Sequence, residues 1–279
     1  MVLVKIREPA VAGSFYPSDK NFLIKTIEDC INHKFGPKKI EEKEFFAAVV
    51  PHAGYIYSGP IASWVYASIK KANYIIAGPN HYGVGFEFST LKDFIWKTPL
   101  GEVLVDNNFV EEIIEKCNVE NDFRAHEFEH SIEVQLPFLQ YRFKDIKFVP
   151  ISIIHSFPSQ ELLEKCKELG KCLAKAVKNK KEKWIFIASS DFSHYVPHSK
   201  AKKIDLELIK EIEKMKEERF WKKLVEKEAS VCGYCPIVTA ISFAREMGAK
   251  KGKLLQYKTS GDITKDKSSV VGYASIIFY

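Results

Sequence analysis

The chain has 279 residues, 46% of them hydrophobic and 13% aromatic, with 14 Gly and 12 Pro, a composition that makes a packed globular protein and excludes disorder and low-complexity architecture. Its net charge of +6 rests on 37 Lys against 5 Arg, and runs such as "KNKKEKW" mix Lys with Glu; this is solvated surface, without the Arg forks and interleaved aromatics that grip nucleic acid. No stretch approaches the roughly 18 apolar residues of a membrane span, and "MVLVKIREPAVAG" reaches Lys5 and Arg7 too soon for a secretory leader, so a cytoplasmic protein with no nucleic-acid or membrane partner is expected.

Taken in chain order, "FFAAVV" (45–50) reads as a buried strand, and "PIASWVYASIKK" (60–71) as a helix with Pro60 in its first turn. "YIIAG" (74–78) is a second buried strand. A helix is predicted over 131–142, then the strand "FVPISII" (148–154), in which Pro150 argues against a central position. A helix over 159–178, the strand "WIFIAS" (184–189), a broken helix over 201–228 and a helix over 236–247 follow, and "KLLQYKT" and "VVGYASIIFY" close the chain as strands. Alternating strands and helices, with no repeat or linker, predict one α/β domain over residues 1–279 with a mainly parallel or mixed central sheet flanked by helices. Six cysteines, at 30, 117, 166, 172, 232 and 235, are scattered through the chain. That argues against a disulfide framework and for small buried apolar side chains.

The titratable residues fall in a pattern. His52 follows "AAVV", His81 follows "YIIAG", Asp191 and His194 follow "WIFIAS", and His155 follows "FVPISII". Each sits just past the carboxyl end of a predicted strand, where open α/β sheets place their ligand crevice, and Gly54, Gly78 and Gly83 permit close backbone approach. Tyr16, Tyr55 and Tyr82 are candidate walls for an anionic or aromatic ligand, although half-buried packing accounts for each singly. In "AHEFEHSIEVQ", His126 reads as a surface residue at a helix start, whereas Glu129 and His130 read as candidates that project into a cleft. "VCGYCP" places Cys232 and Cys235 before a predicted helix start, where a thiolate is favoured. It reads as a dithiol redox pair, as half of a zinc site with no second pair to complete it, or as one cysteine joining the histidines.

Together "REPAVAGSFYP", "PHAGYIYSGP", "GPNH", "EHSIEVQLPFLQ", "SSDFSHY", "VCGYCPI" and "YKTSGDITKDKSSVVGYAS" resemble the Memo family, in order, from Arg7 to Ser275. The resemblance implies a fold similar to class III extradiol dioxygenases, which hold non-haem iron with two histidines and a carboxylate. It implies metal ligation by His52, His81 and Cys232, with His194 and Asp191 in acid, base or supporting roles. The metal implied is iron or copper, with zinc also compatible, and the role is redox or oxygenase-like on an unnamed small molecule or peptide. The same cleft could instead serve a binding module without catalysis. Thiolate in place of carboxylate alters the metal preference and counts against ring cleavage. Nothing in the charge pattern identifies an interface, so a homo-oligomer stays open.

Overall fold

The computed structural model describes residues 5–154, 156–178 and 180–279, so His155 lies outside the described residues. In chain order the strands are β1 (Lys5–Arg7), β2 (Ala47–Val50), β3 (Asn73–Asn80), β4 (Phe88–Thr90), β5 (Phe94–Thr98) and β6 (Gly101–Val105). The second half adds β7 (Glu120–Asn121), β8 (Lys147–Ile154), β9 (Trp184–Ser189), β10 (His194–Val196), β11 (Gly252–Thr259) and β12 (Val270–Phe278). The helices are α1 (Lys20–Asn32), α2 (Tyr55–Ser68), α3 (Asn107–Lys116), α4 (Leu136–Arg142) and α5 (Gln160–Lys178). They continue with α6 (His198–Glu213), α7 (Glu217–Glu226), α8 (Tyr234–Met247) and α9 (Ser260–Thr264).

All the described strands join one mixed sheet in the order β1-β5-β6-β8-β3-β9-β2-β12-β10, with β11 beside β12, β4 beside β8 and β7 beside β4. Its centre, β8-β3-β9-β2, is wholly parallel. That follows from residue type: Ala47 to Val50, Tyr74 to Ala77 and Ile185 to Ala188 are apolar without alternation and buried on both faces, as a covered parallel sheet requires. Antiparallel pairing is confined to the flanks, at β5/β6, β4/β8 and the β2/β12, β10/β12 and β11/β12 pairs. Helix α5 buries Leu162, Leu163, Cys166, Leu169, Leu173 and Val177 along one stripe and packs on α8, which lies over β2, β3 and β9.

One consequence of the strand order positions the site. Because β9 lies between β3 and β2, the segments after Asn80, Ser189 and Val50 leave the sheet side by side. Gly78 lets another segment close over that edge, since a Cβ there would meet the Ser131 hydroxyl at 2.2 Å.

Several expectations are corrected. Helix α2 begins at Tyr55 rather than Pro60, so the proline lies inside it and removes one ladder bond. The earlier start is held by Ser58 Oγ donating to Ala53 O and by Tyr55 packing on Phe138. Residues 131–135 form a turn and a short 3-10 segment, with regular helix only from Leu136. Pro150 does sit in a central strand. On the side of β8 away from β3, β6 pairs only as far as Phe148 and β4 joins at Ser152, so the proline falls in the gap between them.

The cysteines divide. Cys30, Cys166, Cys232 and Cys235 are buried thiols, but Cys117 and Cys172 form a disulfide across 55 residues. Spacing could not show this pair, which meets because α3 packs on α5. Closing a loop of that length should stabilise the fold by about 2–4 kcal/mol. Cys172→Ser is therefore expected to lower the urea unfolding free energy by that amount, without changing the far-ultraviolet dichroism of the folded state.

Candidate metal centre

The site begins with the Ser189 hydroxyl at the end of β9. Ser189 Oγ donates its one hydrogen to Ser131 O at 2.6 Å and accepts from Gln135 Nε2 at 2.8 Å. Its remaining contact, His52 Nδ1 at 2.9 Å, must then be an N–H donor. His52 is thereby fixed as the Nδ1–H tautomer, and Nε2 carries the lone pair, 3.2 Å from Cys232 Sγ. The His52 backbone N–H donates to Asp191 Oδ1 at 2.8 Å, which pins the loop after β2 to the loop after β9.

His81 is held in the same sense by a different acceptor. Glu129 takes the His81 backbone N–H at 2.7 Å and Nδ1–H at 3.0 Å, and also the Ser131 N–H at 2.8 Å. Nε2 is left as the nitrogen open to a ligand. The third ring, His130, stacks on His81 with centroids 4.7 Å apart, and both rings stand nearly perpendicular to His52 at 5.2 and 5.5 Å. One donor atom from each of His52, His81 and His130 can be chosen so that all three lie within 4.8 Å of one another.

Burial decides the electrostatics. Desolvation, reinforced by the neighbouring imidazoles, holds His52 well below the ordinary range, and it pushes His130 down to about 4 against the pull of Glu129. At His81 burial also acts downward, but the Glu129 carboxylate outweighs it and the net direction is up. Glu129 itself is desolvated, yet its bond to His81 and the nearby imidazoles bring it down to about 2. The result is a cluster in which His52 and His130 are favoured as neutral donors, while His81 is paired with the Glu129 carboxylate. Desolvation, and then the Asp191 carboxylate, raise the Cys232 thiol well above its usual value.

His52, His81, His130, Asp191 and His194 share a cleft of about 710 Å³. A second cavity, about 650 Å³, opens on the other side of His81 and His194 and is lined by Tyr82, Phe157, Cys232 and Tyr234. His194 donates Nδ1–H to Ser230 O at 2.6 Å, which leaves Nε2 as a proton acceptor between the two spaces. The Cys232 loop reaches β9 because Gly233 has no side chain: a Cβ there would meet Ser189 O and Ser190 Cβ at 2.4 Å.

The family model for Memo-like proteins matches residues 7–277. The chain belongs to the Memo-like family. A MEMO1 family protein of Pyrobaculum aerophilum is 42% identical over 99% of this chain and 100% of its own length. A MEMO1 family protein of Methanocaldococcus jannaschii is 44% identical over 98% and 99%. Among solved structures, an uncharacterized protein of Escherichia coli K12 superposes with a TM-score of 0.55 at 14% identity, covering 84% of this chain and 100% of that one. At that identity the likeness shows the fold alone.

In this Memo-like chain not every candidate residue reaches the cleft. Tyr16 and Tyr55 are buried and line a separate cavity of about 460 Å³, where Tyr55 donates to Val134 O at 2.6 Å and Tyr16 to the Glu133 carboxylate. Their hydroxyls bond the segment that carries His130, and neither ring lines the histidine cleft. Tyr82 is 58% exposed on the rim of the second cavity. His126 is fully buried against Trp96, not on the surface, because its segment folds inward over the sheet rather than starting a helix. Cys235 lies in the core, while Cys232 faces the site. Residue-by-residue reading missed Ser131, Gln135 and Ser189; the four-residue spacing of Ser131 and Gln135 was the available signal.

Asp205 anchors the loop that carries Asp191 and His194. Its Oδ1 accepts from Ser193 N at 3.1 Å and Ser193 Oγ at 2.6 Å, and its Oδ2 from Tyr257 OH at 2.7 Å. Desolvation nonetheless lifts its carboxyl to about 6. An acid raised by folding stabilises the fold fully below its unfolded value, and that contribution is lost as pH rises through the folded value. Asp205→Asn should therefore flatten the decline in unfolding free energy between about pH 4 and about pH 6, by on the order of 1–3 kcal/mol. Denaturant titrations of the two proteins across that range check it; parallel curves would show that Asp205 does not titrate there.

Proposed function

We propose that this chain holds a redox-active metal, iron or copper, in the cleft and acts as a metal-dependent redox or oxygenase-like enzyme on a small-molecule or peptide ligand. The observation that carries the reading is the convergence of donors: three imidazoles with nitrogens within 4.8 Å of one another, and Cys232 Sγ 3.2 Å from His52 Nε2. The donor set fits a metal. His52 and His81 each commit Nδ1 to a protein acceptor, which is how metal-binding histidines are oriented and how Nε2 is made available. Imidazole with thiolate suits copper, iron or zinc over the hard cations.

His52, His81 and Cys232 would hold the ion, with His130 as a further donor within reach. Because the fold keeps the Cys232 thiol protonated, binding there exchanges a proton for the metal. Bound in this way, the metal would supply electron transfer or Lewis-acid polarisation of the ligand. His194 is placed to take up a proton at Nε2, with its ring held by Ser230. Asp191 fixes the His52 backbone and, raised to about 6 by burial, sits where a proton can be shared with the cleft. A binding module without catalysis is the second reading, supported by Tyr82, Phe157 and Tyr195, all exposed at the mouths of the two cavities.

Metal analysis of untagged protein, isolated with and without reducing agent, should find about one iron or copper per chain. His52→Ala and Cys232→Ser are expected to lower affinity by at least about tenfold while the protein stays folded, and Cys235→Ser to leave it unchanged. Equal metal uptake by wild type and all three variants would remove His52 and Cys232 from the ligand set and leave the binding module standing.

A further inference from the structure

The stretch "REPAVAGSFYP" accounts for one of the seven family motifs, yet none of its residues has a part in the proposed chemistry. Arg7 is its first residue and is 2% exposed. It donates Nε–H to His126 O at 3.0 Å, Nη2–H to Glu129 O at 2.7 Å and Nη1–H to the Glu133 carboxylate, and its guanidinium lies over Trp96 at 4.3 Å. Glu133, equally buried, also accepts from the Ala10 N–H at 2.8 Å, the Val11 N–H at 3.1 Å and the Tyr16 hydroxyl.

A buried ion pair is weak evidence of stabilisation, because desolvating both charges offsets their attraction; its better attested use is to select one geometry. Here the geometry selected is that of residues 126–133. Of the four Arg7 side-chain bonds, one goes to the neighbouring Glu8 O and two end on backbone carbonyls of that segment, one of them Glu129's own. The Glu129 carboxylate, so placed, holds His81 by its backbone and by its ring. His130 follows directly, and Phe15 of the same N-terminal stretch packs on its ring at 4.7 Å.

We propose that Arg7, paired with Glu133, is a positioning residue for the metal centre: it fixes residues 126–133 so that Glu129 and His130 set the His81 ring facing His52. Arg7 touches none of the imidazoles. The inference rests on the metal reading for one of its two readouts only.

The test uses full-length Arg7→Lys, which keeps the charge and loses the planar fork that serves His126 O, Glu129 O and the Glu133 carboxylate together. The control is Arg245→Lys, since Arg245 forms a comparable fork with the buried Glu217 on α7, away from the cleft. One readout is the imidazole nitrogen NMR shifts of His81 in metal-free protein; the other is cobalt(II) affinity followed by visible absorption. Arg7→Lys is expected to abolish the single Nδ1–H signature of His81 and to weaken cobalt binding by roughly 10- to 100-fold, the range found for groups that orient metal ligands. Arg245→Lys should lower stability and change neither readout. An Arg7→Lys protein with wild-type His81 shifts and cobalt affinity within about twofold of wild type would overturn the proposal. If Arg7→Lys does not fold, Tyr16→Phe, which removes one donor from Glu133, is read in the same way, and no change in either signal overturns it. If wild type takes up no cobalt, the metal reading fails while the His81 shifts alone decide the positioning role.

Discussion

Ser189 Oγ has one hydrogen and two lone pairs, and three groups from two segments of the chain use all of them. The hydrogen goes to Ser131 O, and the lone pairs go to Gln135 and His52. With no capacity to spare, the hydroxyl settles which nitrogen of His52 carries the proton, and so which nitrogen faces Cys232. The same saturation ties the 131–135 segment to β9, so that segment cannot shift without unmaking the tautomer. Glu129 repeats the principle at His81 and the Ser230 carbonyl at His194. Three imidazoles are thus oriented by acceptors buried or fixed behind them.

Charge follows from this arrangement. Removing water from His52 and His130 favours their neutral forms, and neutral imidazole is the form with a lone pair to offer. The exception, His81, is the ring closest to a carboxylate and to the open cleft. One charged acid therefore holds the outermost ring, while the innermost ring depends on a neutral hydroxyl. A buried site in which every ring had a carboxylate partner would carry several desolvated charges at far greater cost.

Much of this was readable from the chain. A parallel sheet announces itself by apolar runs without alternation, and residues just past "AAVV", "YIIAG" and "WIFIAS" had to leave along one edge, which is why His52, His81, Asp191 and His194 could be grouped before any coordinates. What was not readable depends on contacts between residues far apart in the chain. Arg7 and Glu133 are 126 residues apart, and nothing local in either marks a buried partner. Cys117 and Cys172 lack the short spacing that signals a bridge. His126 looked like a surface residue because a polar run before an apolar one suggests a helix start, and only the Trp96 face of the fold draws it inside. Tyr16 and Tyr55 looked like ligand walls because tyrosine serves equally well as a packed ring with a hydroxyl to anchor, and here both hydroxyls are spent on the protein.

The position of β9 between β2 and β3 has one more effect. Strands two apart in a sheet stand roughly 10 Å from each other, yet the rings of His52 and His81 approach to 5.2 Å. They do so by leaning toward each other over the end of the middle strand, which must therefore finish in something short. It finishes in Ser189, whose hydroxyl accepts from the His52 ring. The two rings are consequently anchored close to strand ends, His81 directly after β3 and His52 two residues after β2. Cleft walls built from Tyr57, Tyr195 and the 260–273 region can be lengthened, shortened or recoloured for a different ligand while the histidines keep their separation.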